Sequence, residues 1–259
     1  MYNRRDLSRS AVERTLSRRT AVLRAVKPSE AAFRAATARL ATLEAPPVFA
    51  SVRVCSLLGF LDGDPTRVGC LGHPAATGGL DLRPCGAYEP GICEGFTCAS
   101  HGSCTAVEAD LLCAVCAGDP FIYGLVATDL PFARAVLRAV EALAGGRVEE
   151  RQLGDRRFRD CLAAAFALKE ALAPGSEGLF AAFRAPAAPG ASAAASGAGG
   201  REAALEEVLS CLGADDRSGN DGDALEEEAR RRLVACAAAI PRSEAGVARS
   251  GRFPERAVL

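Results

Sequence analysis

The chain has 259 residues, 49% hydrophobic, only 5% aromatic with no Trp, and a formal charge of −1. That length holds one large domain or two small ones, and the apolar share is ample for a core, although much of it is alanine, which buries little area per residue. No run approaches the roughly 18 apolar residues of a membrane span. The basic residues are almost all Arg, Lys27 and Lys169 being the only lysines, which reads as the codon bias of a GC-rich bacterial genome rather than a nucleic-acid-binding composition.

Charge is unevenly placed. Residues 1–44 carry ten Arg or Lys against four acids, and residues 201–230 carry ten acids against three Arg. Ordinary solvated helix faces account for both ends; a basic arm for nucleic acid or an anionic surface is the sharper alternative. The opening run MYNRRDLSRSAVERTLSRRT is Arg- and Ser-rich like an organelle transit peptide. It lacks the apolar stretch of a secretory signal, and Asp6 and Glu13 interrupt it, so the expected location is the cytoplasm.

In chain order, residues 5–26 and 29–44 read as two helices broken at Pro28, which lacks an N–H and disfavours helix before it. Ser29 is placed to cap the second, whose apolar stripe is Phe33, Ala36, Leu40 and Leu43. Val12, Leu16, Leu23 and Val26 give the first a looser stripe. The pair is an N-terminal helical hairpin, with self-association or an unknown protein partner as its expected use. Residues 48–61 are β-branched at first and end at the turn Asp62-Gly63-Asp64-Pro65, so a hairpin of residues 50–58 and 66–70 is expected, with Cys55 as a small core residue on its first strand.

Residues 71–103 are rich in Gly and Pro with little periodicity, and so irregular a segment needs something to hold it. Thr105 and Glu108 form a capping box that starts a helix over about 105–117. Residues 121–130 are apolar and suit strand or helix. Asp129 with Pro131 opens a helix that Gly145-Gly146 stops, and another runs from Asp155 to Leu172. Residues 185–200 are a low-complexity Ala/Gly linker, followed by helices over about 201–212 and 223–239.

The fold class expected is therefore mainly α, with a small irregular α+β cysteine-rich metal-binding module. The divisions are 1–45 for the basic hairpin, 46–183 for the cysteine/histidine-rich module and its helices, 184–200 for the linker, 201–240 for an acidic helical pair and 241–259 for a disordered tail.

The chemistry is concentrated. Eight of the eleven cysteines and both histidines fall between Cys55 and Cys116. In a reducing compartment such a cluster favours metal over disulfides. Cys70-x2-His73 and Cys93-x4-Cys98 each bring two donors to one ion across a turn, and together make the Cys3His set of a structural zinc site. Gly69, Gly72 and Gly95 suit the tight turns such pairs need. Cys85, His101 and Cys104 compete, Cys98-x2-His101 being an equally good local pair. An iron–sulfur cluster on Cys85, Cys93, Cys98 and Cys104 is the alternative, although their spacing matches no ferredoxin run. Cys113-x2-Cys116 fits core packing on a helix, or else a redox dithiol. Cys161, Cys211 and Cys236 read as core.

No catalytic or phosphate-binding signature is present: no Walker loop, dinucleotide fingerprint, H-E-x-x-H or G-x-S-x-G. Residues 215–228 imitate a calcium loop but put Asp221 where glycine is required. An open zinc position with Asp81, Glu89 or Glu94 as base lacks the H-x-E and P-C-x-x-C of the zinc deaminases. The expected function is a binding or regulatory protein with a structural zinc module. An iron–sulfur or thiol redox protein is the alternative, and a nucleic-acid binder through the N-terminal hairpin ranks last.

Overall fold

The computed structural model describes residues 2–4, 6–48, 53–95, 99–171, 198–213 and 220–241. Helix dominates. In order come α1 (Arg9–Arg24), α2 (Glu30–Leu43), β1 (Leu58–Phe60), β2 (Val68–Cys70), α3 (Pro74–Thr77), α4 (Pro90–Gly95), α5 (Ala99–Ser103), α6 (Ala106–Val115), α7 (Pro120–Ala127), α8 (Leu130–Ala144), α9 (Arg156–Phe166), α10 (Ala198–Cys211) and α11 (Asn220–Ala239). Single 3₁₀ turns occupy Leu61–Gly63, Arg83–Cys85, Glu150–Gly154 and Ala167–Ala171.

The helix starts follow their caps. Ser8 accepts the Ala11 amide and Ser29 the Ala32 amide, so the first helix begins at Arg9, a turn later than expected. Thr105 and Glu108 complete the capping box of α6. Asp119, Asp129 and Asp155 cap α7, α8 and α9. Each supplies an acceptor to amides that have no partner within the helix. Gly145 closes α8 in the left-handed region at φ 72°, a conformation glycine adopts without strain. The apolar segment after Asp119 is helix, its Pro120 occupying the first turn.

α8 is the axis of the larger core. Phe132, Ala135, Val136 and Val140 on α8 and Phe158, Leu162, Ala165 and Phe166 on α9 are fully buried. α10 and α11 both pack on α8, and α11 also on α9; Val208, Leu212, Ala229, Leu233 and Cys236 close that layer. The acidic pair of helices is thus part of the main core. Helix α10 starts at Ala198, inside the stretch read as linker; the rest of that stretch, and the tail from 242 on, lie outside the described residues.

A smaller core ties the N-terminal hairpin to the cysteine-rich segment. Leu23, Phe33, Ala36 and Leu40 from α1 and α2 meet Leu57, Leu71, Leu82 and Cys85. The stripe read as a self-association seam is therefore covered by the chain's own residues, with Leu43 left 48% exposed. The β-hairpin is shorter than expected and shifted toward its turn. β1 and β2 are antiparallel with Leu58 opposite Cys70, Gly59 opposite Gly69 and Phe60 opposite Val68. Asp62 and Gly63, at φ 52° and 77°, make the reversal, and Leu61 N–H donates to the Arg67 carbonyl at 2.8 Å. With the reversal so tight, pairing begins at Phe60, and Cys55 falls in the turn before the strand rather than on it. Among the described residues no single helix is long and apolar enough to cross a membrane.

Candidate functional site

Four backbone segments converge beside the smaller core. Residues 53–57 enter β1 through a turn in which the Leu58 N–H donates to the Cys55 carbonyl at 3.4 Å. β2 leaves at Cys70, and the Leu71 N–H donates back to Leu57 at 2.8 Å. The third segment, 82–88, is stitched on by Leu82 N–H to the Gly72 carbonyl at 2.9 Å, by Arg53 to Ala87 at 3.3 Å and by the Tyr88 hydroxyl to the Arg53 carbonyl at 2.5 Å. The fourth, α4, packs on the 3₁₀ turn at 83–85, where Arg83 bridges Asp81 at 2.7 Å and Glu94 at 2.8 Å.

The glycines there have steric reasons. A Cβ on Gly72 would lie 2.8 Å from Leu57 Cδ1 and 3.0 Å from the Leu82 carbonyl. One on Gly86 would lie 2.7 Å from Cys55 Sγ.

A charge on Cys55 or Cys93 would raise the Cys70 thiol, and a charge on Cys55 would raise Cys93. The turn after Cys70 is closed by the His73 N–H, which donates to the Cys70 carbonyl at 3.3 Å. Burial is the largest influence on Cys70 and raises its pKa, partly offset by the backbone amides of Gly72 and His73. Burial likewise raises Cys93, opposed by the Arg83 guanidinium. Arg83 in turn holds the Asp81 carboxyl down at about 2.

Of the residues expected to form the zinc set, Cys70 and Cys93 lie on segments tied together through the Leu82 N–H to the Gly72 carbonyl and the Arg83–Glu94 bridge. His73 follows Cys70 on the same turn, but its side chain is exposed and its Nδ1 accepts the Ala75 N–H at 3.2 Å as the cap of α3. Cys98 lies outside the described residues. Of the competitors, Cys85 is buried in the smaller core, with its thiol directed at the Glu30 carbonyl at 3.6 Å. His101 is exposed on α5. Cys104 directs its thiol at the Thr105 carbonyl at 3.5 Å. Among the described residues no three His, Cys, Asp or Glu side chains converge on one point as a metal-binding group.

A second thiol neighbourhood surrounds Tyr123, whose hydroxyl bonds Cys113 with Cys104 and Cys116 nearby. The C-x-x-C pair is split, Cys113 exposed and Cys116 buried, so only Cys116 fits the core expectation. Burial, with Asp119 and Cys113 beside it, pushes the Cys116 thiol up to about 12, opposite in direction to the lowered pKa of a reactive dithiol. A cleft of about 490 Å³ opens nearby among Arg9, Leu16, Phe60, Asp119 and Phe121. Its Arg9 is engaged by Asp119 at 2.8 Å and Glu170 at 2.7 Å and lies over the Phe121 ring.

In comparisons with known proteins, no family, no curated protein and no solved structure matches this chain.

Proposed function

We propose that residues 46–120 form a module held by structural zinc, with Cys70 and Cys93 among its ligands, and that the protein acts by binding or regulation through the helices around it. The carrying observation is the stitching of the segments that bear the two cysteines: Leu82 N–H donates to the Gly72 carbonyl at 2.9 Å, two residues past Cys70, and Arg83 bridges Glu94, the neighbour of Cys93, at 2.8 Å. Zinc binds cysteine as thiolate, and such paired turns are where its ligands are found. The module needs such a staple. Among its described residues between Leu71 and Ser103 it has only short turns of helix, which offset little of the entropy lost in ordering them.

An iron–sulfur cluster on Cys85, Cys93, Cys98 and Cys104 has less support, since Cys85 turns into the smaller core and Cys104 lies in the neighbourhood of Tyr123. The test is elemental analysis with a visible spectrum on untagged full-length protein purified without oxygen. One zinc per chain and no colour is the expected result. Iron with inorganic sulfide makes it a redox protein instead, and a folded chain without metal overturns the proposal.

A further inference from the structure

We infer that the cleft between α1, the β-hairpin and the start of α7 binds a small organic amine, an ammonium group on an apolar body; the inference stands apart from the zinc reading.

The cleft is built on one face of α1. Arg9, Val12, Glu13 and Leu16 recur at the three- and four-residue spacing of that face and line it together with Phe60 and Val68 from the hairpin and Phe121 from α7. At about 490 Å³ it lies within the roughly 300–1,000 Å³ of small-molecule sites. Leu16, Phe60 and Phe121 are buried, which makes the floor apolar, and Glu13 is exposed at the rim.

One wall is set by Tyr2. Gly124 stands inside α7, where glycine weakens a helix. A Cβ at that position would lie 2.5 Å from Tyr2 Cε2 and 2.6 Å from Cζ, so the bare glycine is the notch in which the Tyr2 ring seats. From there its hydroxyl donates to the Phe121 carbonyl at 3.0 Å, and its ring meets the Phe121 ring edge to face at 6.2 Å. The aromatic lining is thus fixed by the chain itself, which lowers the cost of ordering it around a ligand.

Charge selects the ligand. The Arg9 guanidinium donates to both Asp119 oxygens, at 3.0 and 2.8 Å, and to Glu170 at 2.7 Å. Asp119 also accepts the Phe121 and Ile122 amides, each at 3.1 Å, so the first donors of α7 are answered within the chain. Glu13 is the one charged side chain of the lining with no ion pair among the described residues. Asp119, Glu170 and Glu13 outnumber Arg9, so the site is negative and draws a cation. Its aromatic rings favour the same choice: Arg9 already lies over the Phe121 ring at 4.6 Å. An anion would face these acids with no unengaged cationic side chain of the lining to receive it.

The full chain with isotope-labelled tyrosine rings is titrated with cyclohexylmethylamine, with cyclohexylmethanol as the neutral probe and cyclohexanecarboxylate as the anion. Of the three tyrosines, Tyr2 and Tyr123 line the cleft and Tyr88 does not, so their NMR signals report where a probe binds as well as how tightly. The amine is expected to shift Tyr2 and Tyr123 but not Tyr88, with half-saturation near or below about 1 mM for so few heavy atoms. The alcohol should bind about three- to fivefold more weakly, the worth of an exposed ion pair, and the carboxylate more weakly still. Glu13→Gln, a surface change, should lower the amine to the affinity of the alcohol and leave the alcohol unchanged. Val68→Phe, which fills the cleft, should abolish the shifts; if it does not fold, Glu13→Gln decides alone. No shift with the amine by about 10 mM, shifts that include Tyr88, a carboxylate bound as well as the amine, or amine binding untouched by Glu13→Gln overturns the inference. None of these outcomes bears on the zinc reading, which elemental analysis decides.

Discussion

The ammonium of Lys169 lies 2.5 Å from the carboxylate of Asp129, and neither side chain reaches solvent. The lysine also donates to the Cys211 carbonyl at 3.0 Å and sits 4.7 Å above the Phe132 ring. One of only two lysines in the chain thus pins the start of α8 to the end of α10. Removing one partner leaves a buried charge alone. Lys169→Met and Asp129→Asn should each cost about 3–5 kcal/mol, read as a lower urea midpoint at unchanged slope. The double variant should cost less than the sum of the two. Strict additivity would show that the two groups do not depend on each other.

Glu108 gives a pH signature. It accepts from Arg134 at 2.6 and 3.0 Å and from the Thr105 N–H at 2.8 Å. The Arg134 guanidinium, helped by Thr105, holds its carboxyl at about 2, below the ordinary 4.5. A carboxyl with a depressed folded-state pKa stabilises fully above its unfolded pKa and loses that contribution as pH falls through the folded value. Glu108→Gln, which keeps the capping geometry, should therefore cost about 1–2 kcal/mol at neutral pH. Thermal midpoints of the two proteins should converge between pH 4.5 and about 2. A gap that persists at the acid end would mean the loss is steric.

Arg19 is fully buried, and its partner Glu44 is 15% exposed. Arg19→Met should destabilise by about 3 kcal/mol and raise the alkylation rate at Cys55, whose carbonyl loses its anchor. Arg19→Lys should recover only part of either effect, because an ammonium cannot make the two-pronged contact with the carboxylate and also reach the carbonyl. Equal behaviour of Lys and Arg at this position would show that charge alone is needed.

Gly86 and Gly91 form a matched pair of substitutions in one module. A Cβ on Gly86 meets Cys55 Sγ at 2.7 Å and Leu57 Cδ1 at 2.9 Å, whereas one on Gly91 meets nothing within 4 Å. Gly86→Ala should cost about 1–3 kcal/mol by overpacking and weaken zinc uptake. Gly91→Ala, on the exposed side of α4, should be neutral or stabilise by up to about 1 kcal/mol. Chemical denaturation of both variants and a zinc competition assay decide the matter; equal effects would remove the steric argument for Gly86.

The helices were legible because their starts are local. Ser29, Thr105, Asp129 and Asp155 announce themselves by side chains that reach an amide two or three positions on. The spacing of Phe33, Ala36 and Leu40 likewise shows the buried face of α2. The place of Cys55 was not legible, because it depends on pairing across a turn: the first strand, expected over 50–58, lies at Leu58–Phe60 and leaves Cys55 ahead of it. The burial of Lys169 was hidden for a similar reason: its partner Asp129 lies 40 positions away and reads, within its own segment, only as a cap. At His73 the spacing Cys70-x2-His73 suggests a ligand pair, and what it does not show is that Pro74 starts a helix whose cap is the imidazole.

Tyr2 donates to the Phe121 carbonyl at 3.0 Å, and Arg9 grips Asp119, 110 positions further on. During synthesis at about 5–20 residues per second, α1 leaves the ribosome roughly 5–20 s before these partners exist. For that interval Val12 and Leu16, buried in the finished protein, lack the α7 residues with which they share a core. The amino-terminal helix is made early and seated late, so the nascent chain spends those seconds with an apolar ridge open to chaperones.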